Sequence, residues 1–137
     1  MRLLLVGVVA ALMPMWASAP EAGDLTGIMV VIERQVAGLR GDDSQLLSST
    51  ISAQTRSLFA DDRTVLDTFK RHFPGATGVR IAGFGAARKT ELGFVQPVQI
   101  CDQTGRLWRV LYALERDDNG HWLIKDFVTF EIPTTSS

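Results

Sequence analysis

Apolar residues recur at helical spacing in the first half of the chain and alternate with polar ones in the second. The change falls near Pro74-Gly75. Leu25, Ile28, Met29, Ile32, Val36 and Leu39 mark a helix with one wide apolar face. Asp24 is placed to cap its start, and Gly41 follows the last periodic residue, where a helix-ending glycine is expected. Asp42 or Asp43 caps a shorter segment carrying Leu46, Leu47 and Ile51, and a further helical turn is predicted between Ser52 and Phe59. A clearer helix starts at Asp61 or Asp62 and sets Val65, Leu66, Phe69 and Phe73 on one face. Pro74 ends it, because the residue before a proline is pushed out of the helical region.

Beyond Gly75 the pattern predicts strands over Val79 to Phe84, Phe94 to Cys101, Leu107 to Arg116 and Trp122 to Phe130. Turn residues separate them at Ala86 to Thr90, Asp102 to Gly105 and Asp117 to Gly120. Helices followed by an antiparallel meander give an α+β domain, N-terminal helices packed on one face of a curved four-stranded sheet. Three-residue loops, with Gly105 and Gly120 in the left-handed position, pair 102 with 106 and 117 with 121. On that register Phe94, Val98, Ile100, Trp108, Val110, Leu114, Trp122, Ile124, Val128 and Phe130 share one face. It also sets Gln96, Tyr112 and Asp126 side by side in one row across that face. The opposite face carries Pro97, Gln99, Arg109, Leu111, Glu115, Lys125, Phe127 and Thr129. Its strip of Leu111 and Phe127 reads either as two exposed hydrophobes or as a homodimer contact through the outer sheet face.

The N-terminus changes the picture of where the domain works. Arg2 precedes an apolar run from Leu3 to Met13, and Ala17-Ser18-Ala19 supplies the small residues of a cleavage site. The run is shorter than the roughly 20 apolar residues that span a bilayer. The expected organisation is a signal peptide over 1–19, a linker over 20–24, one α+β domain over 25–132 and a disordered tail over 133–137. The mature protein is then periplasmic or secreted, with no stable membrane span. Removing Arg2 with the leader changes the net charge from −1 to −2, 13 basic residues against 15 acidic ones. No basic stripe or acidic run exists, so nucleic acid is not an implied partner. Cys101 is the only cysteine, which excludes an intrachain disulfide and paired-cysteine zinc sites.

The chemistry-bearing residues are few. There is no glycine-rich phosphate loop ahead of a helix, no His-x-x-x-His and no nucleophile elbow. With His72 and His121 the only histidines, no histidine-rich metal site is available, and neither a metal nor a cofactor is implied. His72 suits the C-terminal end of its helix, and Trp108 and Trp122 suit the core or a pocket wall. What remains is the Gln96-Tyr112-Asp126 row. A carboxylate on an apolar face must be hydrogen-bonded or held neutral, and Tyr112 opposite it is placed to donate. Asp126 and Tyr112 are therefore the pair whose chemistry stands out on that face.

Three stretches together resemble a known family. They are Ile32 to Phe59 around Arg40-Gly41-Asp42-Asp43, the helix ending in Phe73-Pro74, and Gly105-Arg106-Leu107-Trp108-Arg109-Val110-Leu111-Tyr112 followed by Asn119-Gly120-His121-Trp122-Leu123-Ile124. The chain is similar to the uncharacterised bacterial family called domain of unknown function 4864, over roughly residues 25 to 130. That resemblance implies the cystatin-like cone shared by nuclear transport factor two and ketosteroid isomerase. In the isomerase relatives an acidic base and a tyrosine work inside the cone, so the resemblance implies Asp126 and Tyr112 as catalytic candidates and Gln96, Trp108, Tyr112, Trp122 and Asp126 as the ligand-pocket residues. The family brings no activity with it, so fold and function stay separate questions. The leading reading is a non-catalytic module of the cell envelope that binds a small apolar ligand or a protein. The alternative is a small isomerase, dehydratase or hydrolase acting on an apolar substrate in the cone.

Overall fold

The computed structural model describes residues 22–73, 78–91 and 93–133. The expected signal peptide and residues 134–137 of the expected tail lie outside them. Among the described residues four helices precede the sheet: α1 (Ala22–Arg40), α2 (Ser44–Ser49), α3 (Ala53–Arg56) and α4 (Asp62–His72). The strands are β1 (Arg80–Phe84), β2 (Arg88–Lys89), β3 (Phe94–Cys101), β4 (Leu107–Arg116) and β5 (Trp122–Glu131). The helices pack on one face of an antiparallel sheet of order β1-β3-β4-β5, with the two-residue β2 also pairing β3. The α+β expectation holds, and β2 adds a short fifth strand inside the stretch read as a turn.

Local chemistry explains the helix limits. The carboxylates of Asp43 and Asp61 and the hydroxyl of Ser52 accept backbone N–H groups at the starts of α2, α4 and α3. Phe73 ends α4 in an extended conformation, as a residue before proline must. Two expectations shift at α1. It begins at Ala22, so residues 22–24 of the expected linker are helical and Asp24 lies in the first turn. The left-handed residue beyond its end is Asp42 (φ 55°) rather than Gly41, and Asp42 holds Lys70 at 2.8 Å and Arg63 at 3.6 Å.

Ile28, Ile32, Val36 and Leu39 of α1, Leu47 of α2 and Val65, Leu66 and Phe69 of α4 close over Phe94, Val98, Ile100, Val110, Leu114 and Ile124. Burying such side chains is worth about 1.5–3 kcal/mol each, which holds the layers together. Trp122 lies against α1 so closely that a Cβ on Gly27 would come within 2.7 Å of its Cδ1, so the helix needs glycine there. Both long hairpins turn as expected. Asp102 N–H donates to Arg106 O and Asp117 N–H to His121 O, each at 2.9 Å, with Gly105 and Gly120 at φ 88° and 83°.

The sequence register fails halfway along β5. Arg116, Glu115 and Leu114 pair with Trp122, Leu123 and Ile124, but Ala113 pairs with Asp126 and Tyr112 with Phe127. The strand carries one extra residue, Lys125, at a β-bulge. Thr50–Ser52 pins the bulge from the free side. Ile124 N–H donates to Thr50 O at 2.7 Å, Ser52 N–H to Ile124 O at 2.9 Å, and the Thr55 hydroxyl to Lys125 O at 2.9 Å. Past this point inward and outward exchange. Val128 and Phe130, expected inside, are about half exposed on the outer face, while Phe127, expected outside, packs onto the core with Thr129 two residues on.

Candidate functional site

The bulge decides what lies inside the cone. Gln96 and Tyr112 are cross-strand partners and both are fully buried. Asp126, the third member of the expected row, pairs with Ala113 instead and is exposed, its Oδ1 accepting the N–H of Phe127 at 2.8 Å. The structure therefore brings together two of the three residues. Phe127 takes the place expected for Asp126, with its ring centroid 6.1 Å from that of Tyr112, 5.1 Å from Phe69 and 5.4 Å from Phe73.

Tyr112 finds a different partner. Its hydroxyl donates to Oε1 of Gln35 at 2.5 Å, and Gln35, on α1, is also fully buried. Burial pushes the Tyr112 phenol far up, so it stays a neutral donor. Gln96 turns away and donates through Nε2 to Gly85 O at 2.7 Å and Pro97 O at 2.8 Å, tying the exit of β1 to β3. Among the described residues Gln35 Nε2 and Gln96 Oε1 have no partner. Gln35 was legible in principle, because a polar residue between Ile32 and Leu39 falls on the apolar face of its helix.

The two tryptophans have separate employments. Trp108 Nε1–H donates to Oδ2 of Asp102 at 3.1 Å. Oδ1 of Asp102 also accepts the Thr104 hydroxyl at 2.6 Å, Thr104 N–H at 2.9 Å and Arg106 N–H at 3.0 Å. Led by the Thr104 hydroxyl, these donors outweigh desolvation and hold the Asp102 carboxyl at about 2, below its ordinary 3.8. Trp122 meets Phe94 edge-on at 5.3 Å, and the Arg116 guanidinium lies 5.2 Å from its ring centroid.

Two openings among the described residues lie outside the cone. A groove of about 570 Å³ runs between α3, α4 and β5. Phe59, Phe69 and Phe127 form its apolar wall, and Leu58, 80% exposed, stands at its rim. Thr55, Thr68, His72, Lys125 and Asp126 supply the polar groups. A volume of this size suits a small-molecule ligand. Asp126 thus lines a recess, but on the far side of Phe127 from the cone interior. Among the described residues no group of three His, Cys, Asp or Glu side chains is placed to hold a metal ion, and no helix is long and apolar enough to cross a membrane.

This architecture is that of the NTF2-like α+β proteins. A crystal structure of an NTF2-like protein of unknown function from Methylobacillus flagellatus KT superposes with a TM-score of 0.55, covering 85% of this chain and 99% of that one. At 13% identity the likeness is one of fold. Residues 21–135 match the domain of unknown function DUF4864, and the chain belongs to that family. No curated protein matches it.

Proposed function

We propose that this domain is a non-catalytic binding module of the cell envelope that seats a small apolar ligand in the groove between α3, α4 and β5. One observation carries the reading. The cone interior is filled by Tyr112, Gln35, Gln96 and Phe127, while a groove with a phenylalanine wall stands open beside it. Tyr112 is the interior's titratable group and its burial keeps it neutral, so the acid–base pair an isomerase needs does not meet there. The placement in the envelope rests on the Arg2–Met13 run and Ala17-Ser18-Ala19.

The module is further proposed to form a homodimer through its outer sheet face. There Pro97, Leu111 and Val128 make an apolar row, with Arg109 and Phe130 on one side and Ala113 and Asp126 on the other. A twofold axis along the row would bring Arg109 diagonally across from the Asp126 of a second copy, so the surface complements itself. The competing reading is a small isomerase, dehydratase or hydrolase, moved from the cone to this groove because His72, Lys125 and Asp126 line it. Native mass spectrometry of protein taken from its own envelope tests all of this together. The expected species is a dimer that starts between Pro20 and Asp24 and retains an apolar ligand, which Phe127→Ser releases. Monomeric, ligand-free protein retaining Met1 would overturn the reading.

A further inference from the structure

A second recess, apart from the groove just described, lies between α1 and the β4–β5 hairpin and encloses about 590 Å³. Val30, 46% exposed, Ile51 and Trp122 give it an apolar surface. Its charge is one-sided. Arg34, Arg56, Arg116 and His121 line it, and Asp117 is the carboxylate that faces them. That carboxylate is committed to the hairpin, accepting His121 N–H at 2.8 Å and Asn119 N–H at 2.9 Å. Arg116 is committed as well, to Asp24 and to the face of Trp122. Among the described residues the other two guanidinium groups, Arg34 and Arg56, meet no carboxylate. Arg34 donates to the Ser49 hydroxyl at 3.3 Å.

We infer that this recess binds an amphiphile with one anionic head and an apolar body, the head held by Arg34 and Arg56 and the body laid along Val30 and Trp122. Guanidinium forks match the planar oxygens of a carboxylate. The recess has the size of a small-molecule site, whereas a membrane surface would call for a broad basic face that a chain of net charge −1 does not offer. The occupant is therefore a free anionic amphiphile.

Isothermal titration of the mature protein with dodecanoate, and with dodecanol as its neutral counterpart, provides the test. Saturable one-to-one binding of dodecanoate is expected, with dodecanol about tenfold weaker or worse. The double variant Arg34→Gln/Arg56→Gln should weaken dodecanoate by about tenfold and leave dodecanol unchanged. Both arginines lie on helix surfaces outside the core, and circular dichroism of the variant establishes that it is folded. Val30→Glu supplies an independent perturbation that should abolish binding by placing a carboxylate on the apolar surface. Amide shifts should move at Val30, Ser49 and Trp122 and stay still at Thr68 and Phe127. Equal affinity for the alcohol, indifference to the arginine substitutions, or shifts confined to Thr68 and Phe127 would each overturn the inference. The last outcome would leave the Phe-walled groove as the ligand site, so the two proposals fail separately.

Discussion

Tyr112→Phe removes one oxygen atom from a fully buried position, and its consequence can be worked out from the Gln35 clasp. The lost hydroxyl is the donor to Gln35 Oε1. Because Gln35 Nε2 is already without a partner among the described residues, the variant leaves the whole amide buried and unpaired there. A buried polar group stripped of its partner costs about 1–3 kcal/mol, which for a domain of this size lowers the melting temperature by roughly 4 °C per kcal/mol. Gln35→Met should cost a similar amount, since it leaves the phenol without its acceptor. The double variant has neither orphan, so its loss should fall well short of the sum, with a coupling of about 1–3 kcal/mol. The assay is urea or thermal unfolding of all four proteins. Strict additivity would mean that the two side chains do not meet, and with it the α1-to-β4 contact would be withdrawn. The same site sets a pH response. The phenol's pKa is raised in the folded state, so its contribution to stability is complete below the unfolded value of about 10 and is lost as pH rises beyond it. Tyr112 is the only tyrosine in the chain, so phenolate absorbance should appear together with alkaline unfolding and not before.

Asp102 works in the opposite direction. Its pKa is lowered to about 2, so its stabilisation is full above the ordinary 3.8 and fades as acid takes the pH toward 2. Asp102→Ala should flatten that acid limb and shift Trp108 emission, and an unchanged acid profile would remove the carboxylate from the account. Gly120→Val should destabilise the domain by about 1 kcal/mol or more through the backbone alone, since a Cβ there meets nothing within 4 Å. A melting temperature equal to that of the parent would contradict the left-handed turn. Asp126→Asn should leave stability within about 0.5 kcal/mol, as expected for an exposed side chain, and a large loss in denaturant unfolding would return Asp126 to the interior. Val128→Lys should yield a monomer in sedimentation, and a persistent dimer would move the interface elsewhere.

The helices, both three-residue hairpins and the inner face as far as Ile124 were legible because each rests on local signals: periodicity, Asp and Ser caps, and Asn-Gly or Thr-Gly turns. Gln96 and Tyr112 could be placed side by side for the same reason. Asp126 could not. Its position depends on Lys125 being extruded, which depends in turn on Thr50–Ser52 docking against Ile124 from more than 70 residues earlier in the chain. Alternation continued through Lys125 is also the simpler pattern, since it keeps Val128 and Phe130 inside. The Phe-walled groove was hidden by the same residue, because its wall requires Phe127 to turn inward.

The bulge at Lys125 makes β5 a strand read in two frames. Removing Lys125 would merge them, leaving Ile124 opposite Leu114 and Asp126 opposite Ala113 as they already are, with every later residue still facing its present side. Loss of the one extra residue, Lys125, thus has a place to be absorbed. The same change between Phe127 and Phe130 would have none, and would exchange the core-packed side of the strand for its solvent side. Length variation in this strand should therefore concentrate around residue 125. There the chain can change its length without changing which side chains it turns toward α4.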